Sequence, residues 1–549
     1  MNPRFVLAFS LWFLFAAAVQ AEEPQGAANG QPDYTAETVL NGDRCVCVIP
    51  GGTLADGWKQ EDFLLQRPET LEGEGPFTVC CDGEPVPCHV NRRGFAYYLA
   101  QKPGKYTLEK VGVLPAKTSV PLPKELAQRL GCDVSSPFPP EFFTRERIRI
   151  GGWALAYGQK WDNHFAQDFA DCGFDLLLAT GKESSPQNRL NLLQECNRLG
   201  VEVYINDGEW KNPATAGMEY FDHPSFCGHF LTDEPGSDAY EKWGNVAKAY
   251  ADATGKVPYI NLLPMYANAA QLKFGAQAAA IEYYDPAPDL YRKYCEKYCD
   301  LVPTDYICTD IYPLNWIEGG KRGTYAQYVE SINVIASVAR ERDKEFWCFI
   351  QTFGWAPSKR TPNASEYRWQ CWSMLSFGCR GILCWVYAAY KPDFPSLVSL
   401  ENEKTPAWYD ARTVFREIRK VSDVYCQYKN LGAFTHNASD EVPYLKMTNE
   451  FKDFPTIQEI QCPDPLLIGC FAKKDRAKQD GTVGTAGTAF TLVNMTELEA
   501  AKTTVVKLKL SGETVTCYRR GEPEKVERDA EGFCIFPLET GEGVFVTVE

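Results

Sequence analysis

Asp233 and Glu234 stand side by side at the end of the apolar run from Phe226 to Thr232, and Pro235-Gly236 follows at once. Two carboxyls held together in a buried place do not titrate alike. The charge on one resists the second ionisation, so one keeps its proton to higher pH and can act as a general acid. This is the chemistry of acetal cleavage, in which one carboxyl protonates the leaving oxygen and a second carboxylate attacks or activates water. The pair can work only at the open, C-terminal end of a parallel strand. The competing role for Glu234 is an acid near the N-terminus of the next helix, held there by the helix dipole.

The positioning elements follow from periodicity. From Ile148 onward short apolar runs alternate with amphipathic stretches, which predicts a parallel sheet with crossover helices. The strand candidates are 148–154, 174–179, 201–205, 227–232, 257–262, 306–311, 346–350 and 381–386. Eight such units predict a (β/α)8 TIM barrel. Helix signals lie between them. Ser185-Pro186 opens a helix and Leu199-Gly200 closes it, Asp238/Glu241 and Asn363/Glu366 have capping-box spacing, and Thr405-Pro406 opens the last helix. Residues 325–342 carry apolar side chains at helical intervals.

Flanking regions read as strands. Runs at 44–48, 77–81 and 95–99 predict an N-terminal β-sandwich over 38–114, joined by a proline-rich linker, 115–147, to the barrel domain, 148–430. Runs at 466–471, 489–493, 503–510, 514–518 and 543–548 predict a C-terminal β-sandwich over 431–549. At the other end, Arg4, an apolar run and a small-residue stop at Ala21 read as a secretory signal peptide over 1–21, with a disordered leader over 22–37. The expected location is therefore exported, periplasmic or secreted. The run from Phe5 to Val19 is too short for a membrane span, and no later segment is long and apolar enough for one.

In such a barrel the working side chains stand just beyond the strands. These ends carry Trp153 after the first strand; Asn206, Asp207, Glu209 and Trp210 after the third; Asp233 and Glu234 after the fourth; and Asp310 and Tyr312 after the sixth. Gln351 and Trp355 follow the seventh strand, Trp385 the eighth, and Trp316 lies farther past the sixth. Aromatic faces stack on sugar rings, and carboxylates and amides bond sugar hydroxyls, so the expected partner is a carbohydrate. Taken singly, each Trp has a plain role as packing. Trp369 and Trp372, three apart, are expected against the barrel exterior.

With these residues placed, the chain resembles the clan A glycoside hydrolases, and in its barrel-plus-sandwich organisation the family 42-like β-galactosidases. That resemblance implies an acid/base Glu at the end of the fourth strand, where Glu234 stands, and a nucleophilic Glu at the end of the seventh, often before Phe-Gly. Here the seventh strand ends Gln351-Thr352-Phe353-Gly354. The nucleophile is missing, and three alternatives are open. Asp310, or else Asp207 or Glu209, is the second carboxylate; a substrate acetamido group assists, oriented by Asp233; or the barrel binds glycan without cleaving it.

The net charge of −16 disfavours nucleic acid as a partner. Five histidines, none paired at metal spacing, give no expectation of a metal, and none of a cofactor. The 21 cysteines lack the spacing of a stapled domain. Cys227, Cys308, Cys348 and Cys384 sit within apolar runs and read as small core residues, while Cys45, Cys47, Cys80, Cys81 and Cys88 are candidates for a bridge. Sequence leaves the oligomeric state open.

Overall fold

The computed structural model describes residues 46–50, 77–86, 89–90, 96–100, 106–110, 138 and 141–549, apart from 155–162, 180–185, 212–219, 221–222, 279–287, 318–320, 356–357, 390, 475–486 and 500. The signal peptide, the leader and most of the linker lie outside the described residues.

Eight parallel strands form the barrel: β1 (Arg149–Ala154), β2 (Leu176–Ala179), β3 (Glu202–Ile205), β4 (Phe226–Asp233), β5 (Tyr259–Asn261), β6 (Tyr306–Asp310), β7 (Glu345–Gln351) and β8 (Cys379–Trp385). Their order around the sheet is β5-β4-β3-β2-β1-β8-β7-β6. A parallel bridge between Leu262 and Thr309 joins the two edges, with the Leu262 N–H donating to the Cys308 carbonyl at 2.9 Å. All eight strands fall where the apolar runs predict them.

Side chains alternate between two apolar layers, as a period of two requires. Leu176, Leu178, Tyr204, Phe230, Tyr259 and Phe349 fill the barrel interior. Their neighbours Leu177, Val203, Ile205, Leu231, Ile260 and Ile350 face the helices. Inward glycines make room for the large rings: a Cβ on Gly381 would lie 2.5 Å from the Trp347 indole. Trp347 in turn stacks on Tyr306 at 4.3 Å.

From β1 onward the described α-helices are α1 (Asn163–Cys172), α2 (Pro186–Leu199), α3 (Tyr240–Thr254), α4 (Ala269–Phe274), α5 (Pro288–Leu301), α6 (Tyr328–Glu341), α7 (Ala364–Ser376) and α8 (Pro406–Tyr425). Asn363 and Glu366 form the capping box expected of them, and Pro406 occupies the first turn of α8. The expected box at Asp238/Glu241 does not form. Ser237–Ala239 is a 3₁₀ turn, and α3 begins after Ala239 with no side-chain cap. None of the described helices is long and apolar enough to cross a membrane.

Beyond α8 lie β9 (Tyr428–His436), β10 (Ile457–Gln461), β11 (Leu466–Lys473), β12 (Thr488–Asn494), β13 (Thr504–Leu510), β14 (Val515–Arg519), β15 (Glu522–Lys525), β16 (Cys534–Leu538) and β17 (Gly543–Val548). They make a six-stranded antiparallel sheet, β9-β11-β12-β17-β14-β15, and a three-stranded one, β10-β13-β16. Leu466, Ile468 and Cys470 of β11 meet Val506, Leu508 and Phe536 between the sheets. The alternate residues Leu467 and Phe471 join the barrel's helical layer instead. The large sheet is thus apolar on both faces, with α7 against its outer one. There Gly543 leaves space for the Trp372 ring and Gly541 for the Ser365 carbonyl one turn before Trp369, and both tryptophans are buried between barrel exterior and sheet.

In the N-terminal region two three-stranded sheets are described, one joining Val46–Pro50, Ala96–Ala100 and His89–Val90, the other Glu84–Val86, Phe77–Cys81 and Tyr106–Lys110. Sixteen cysteines among the described residues are free thiols, including Cys80; Cys308, Cys348 and Cys384 are in the core as expected, and Cys227 is half-buried. The remaining candidates for the N-terminal bridge are not among them.

Candidate functional site

Asp233 reaches the barrel mouth through an irregularity. Phe230 pairs with Tyr259, but Thr232 pairs with Ile260 and Asp233 with Asn261, so β4 carries one extra residue over that step. Phe230 points inward and Leu231 toward the helices. Strict alternation would send Asp233 outward beside Leu231, and the bulge turns it in beside Asn261.

Glu234 follows in a left-handed conformation, φ +46°, which favours glycine and is held here by its surroundings. Its N–H donates to the Asn261 carbonyl at 2.9 Å, and its carbonyl accepts from the Ala276 N–H at 3.2 Å. The Tyr294 hydroxyl donates to the Pro235 carbonyl at 2.7 Å. Gly236 is required by close approach, since a Cβ there would lie 2.3 Å from the Gly275 nitrogen.

Asp310 ends β6 on the inward side, below Tyr312 and above Cys308. The Asn261 amide Nδ2 donates to Asp233 Oδ1 and to Asp310 Oδ1, 3.2 Å in each case. Glu234 hydrogen-bonds Asp310 directly. Three carboxyl groups from β4 and β6 therefore converge on one amide of β5. Asp233 and Glu234 stay partly open to solvent, while Asp310 is 5% exposed. Among the described residues none of the three is ion-paired with a Lys, Arg or His.

Enclosure without a counter-charge raises all three. Burial pushes Asp233 up to about 6 against the opposing bond from Asn261. Burial and then the Asp233 charge push Asp310 up to about 7. Glu234 is pushed well above the carboxylate range by burial, then by Asp310 and Asp233. A carboxyl raised in this way keeps its proton to higher pH, as a general acid must.

An aromatic wall surrounds the carboxyls. Tyr312 stacks on Trp385 at 5.5 Å, Phe353 stacks on Phe394 at 4.7 Å, and Trp153 stands edge-on to Phe230 at 5.1 Å. Trp355 is half-buried beside Phe394. Trp316 lies on a hairpin, Leu314–Ile317 with Lys321–Thr324, and is 38% exposed. Asn206 follows β3, half-buried, its N–H donating to the Ala179 carbonyl at 3.0 Å.

Three expected ligand-facing residues are otherwise engaged. Gln351 is buried; its Oε1 accepts from the Leu314 N–H and its Nε2 faces the carbonyls of Leu314, Phe353 and Arg360 at 2.8–3.2 Å. It braces loops and leaves nothing for a ligand. Asp207 accepts from the Tyr220 hydroxyl and lies 3.4 Å from His229 and 3.5 Å from Arg189. Burial would raise it, but His229, Arg189 and Tyr220 hold it down at about 2, so it is neither a base nor free to bind. Trp210 packs on Trp243 of α3 at 5.6 Å, in the helical layer. The Glu209 side chain is outside the described residues.

Sequence reasoning missed Asn261, Tyr266 and Lys359. Asn261 announces itself as an amide inside an apolar run. Tyr266, 39% exposed, lies edge-on to Tyr325 at 5.5 Å, and burial of its phenol, Asp310 and Glu234 push its pKa up. Lys359 donates to the Tyr312 carbonyl and, at 2.7 Å, to Asn315 Oδ1; burial pushes it down to about 7 against the pull of Asp310. Among the described residues no cluster of three or more His, Cys, Asp or Glu is arranged to hold a metal ion.

No protein-family model and no curated protein matches the chain. Solved structures similar to it include a family 39 glycoside hydrolase from the gut symbiont Bacteroides cellulosilyticus WH2, at 11% identity and a TM-score of 0.38, covering 75% of this chain and 82% of that one. A glycoside hydrolase family 5 protein from Bacteroides vulgatus ATCC 8482 gives 10% identity and a TM-score of 0.39, with coverages of 73% and 89%. Gan42B, a GH42 β-galactosidase, gives 9% and 0.40, with coverages of 73% and 98%. All three are glycoside hydrolases, the class the sequence resembles. The likeness is one of outline, and the barrel stands on its own strand order.

Proposed function

We propose that this chain is a glycoside hydrolase acting on an oligo- or polysaccharide, with Glu234 as general acid/base. The observation that carries the reading is the meeting of Asp233, Glu234 and Asp310 at the barrel mouth, with raised pKa values and no ion pair among the described residues. Glu234 delivers its proton to the glycosidic oxygen, and Asp310 accepts its hydrogen bond in the resting state. The sequence from Met1 to Ala21 is the ground for placing this activity outside the cytoplasm. Buried thiols suit that compartment, because burial holds Cys308 and Cys348 well above their usual pKa and suppresses the reactive thiolate.

One contact favours a particular second step. A retaining pair needs its carboxyls about 5–5.5 Å apart with the anomeric carbon between them. Glu234 and Asp310 are in hydrogen-bond contact, which leaves no such gap. This supports attack by the substrate's own 2-acetamido group, oriented by Asp233 or Asp310.

The test is a panel of chromogenic glycosides with and without a 2-acetamido group, run on the wild type and on Glu234→Gln. Wild-type cleavage restricted to 2-acetamido substrates, with at least about a 100-fold loss in the variant, is expected. Equal rates in the two proteins would remove Glu234 from the mechanism. Glycan binding without cleavage by the wild type would favour a binding protein on a degenerate barrel.

A further inference from the structure

Asn261 touches every member of the acid cluster. Its side chain serves Asp233 and Asp310, its carbonyl serves the Glu234 N–H, and it is 3% exposed. One amide nitrogen carries two N–H donors, and here each is committed to a different carboxylate on a different strand. The other end of the same amide is left over: Oδ1 is buried and has no hydrogen-bond partner among the described residues. Leaving such an acceptor unpaired costs about 1–3 kcal/mol. An orientation that wastes the acceptor to supply both donors marks where negative charge is wanted.

We propose that Asn261 is a positioning residue that assigns the cluster's proton, holding Asp233 and Asp310 as acceptors so that Glu234 is the member that carries it. Hydrogen bonds donated to a carboxylate favour its charged form. Glu234 receives no side-chain donor from Asn261, only a backbone contact, and its own hydrogen bond runs to Asp310. The role rests on the glycosidase reading for its catalytic meaning, but the assignment of the proton is a property of the protein alone.

The titratable groups around the cluster are Tyr259 on β5, Tyr266 beyond it, Tyr294 on α5, Cys308 on β6 and Tyr312 just past it, Cys348 on the helical side of β7, and Lys359. Burial holds these phenols and thiols neutral around pH 7, which leaves Lys359 as the group that titrates alongside the acids.

The experiment follows carboxyl carbons by NMR through a pH titration of the full chain, in the wild type, Asn261→Ala and, as a control for the lysine, Lys359→Met. In Asn261→Ala the aspartate titrations move upward by about a unit, and a pH–rate profile on a cleaved glycoside shifts in the same sense with KM little changed. If Asn261→Ala does not fold, Asn261→Asp keeps the volume, removes the donor and adds a charge, and must shift the titrations further up. Unchanged aspartate titrations in a folded Asn261 variant overturn the proposal. A wild type that cleaves no glycoside ends the glycosidase reading instead, and the titrations still decide the role of Asn261.

Discussion

The two ends of the barrel treat the same residue type in opposite ways. At the N-terminal end, Asp175 precedes β2 and accepts from Arg147 Nε at 2.7 Å and from the Ile150 N–H at 2.8 Å, with Arg419 3.0 Å away. Burial alone would raise it, but Arg419 and Arg147 hold it at about 2. Glu202 at the start of β3 is likewise bound to Arg147 and Arg149. At the C-terminal end Asp233, Glu234 and Asp310 are enclosed without an ion pair among the described residues, so they rise. Burial is common to both ends, and the presence of arginine decides between a brace and a proton donor.

Breaking the brace has the largest expected effect. Asp175→Asn takes one of two carboxylates from the buried Arg147 and the partner from half-buried Arg419, and costs about 3 kcal/mol of stability in urea unfolding, with kcat little changed below the transition. A loss under about 1 kcal/mol would show that the two ends differ less than their charges imply.

The next largest effect has the opposite sign. Asp310 is raised, so the folded state holds its proton more tightly than the unfolded chain, and its stabilisation is complete below about pH 4 and lost as pH rises to about 7. Asp175 is depressed, so its stabilisation is present above about pH 4 and lost as pH falls toward 2. Asp310→Asn should therefore raise Tm relative to the wild type by an amount that grows between pH 4 and 7, while activity falls. A Tm difference flat across that range would contradict the raised pKa. The smallest effect belongs to the rim: Trp316→Ala should raise KM by about 3- to 10-fold with kcat preserved, as the loss of uniform binding does. A fall in kcat alone would place Trp316 with the chemistry instead.

The eight strands were legible because each is an apolar run between helix signals, and Asn363/Glu366 shows that a cap can be read locally. The site was harder to read, because a position beyond a strand does not say which way a side chain faces. Ile205 faces the helices, and Asp207, two residues on, shares that phase and falls into the Arg189–His229 network. The same phase rule would have discarded Asp233, which faces inward only because β4 bulges. Gln351 replaces the expected nucleophile and becomes a brace because the segment after β6 folds over it. Lys359 depends on loop pairing with Asn315 and Trp355, which leaves no periodic trace.

The sheet that shows apolar side chains on both faces limits how this chain can be cut and rejoined. A region that buries one face can be removed and leave its neighbour soluble, as recombined modules are. Here truncation after α8 would uncover Trp369, Trp372 and the other apolar side chains of α7, so the barrel cannot be cut free of the C-terminal strands without exposing a large apolar patch.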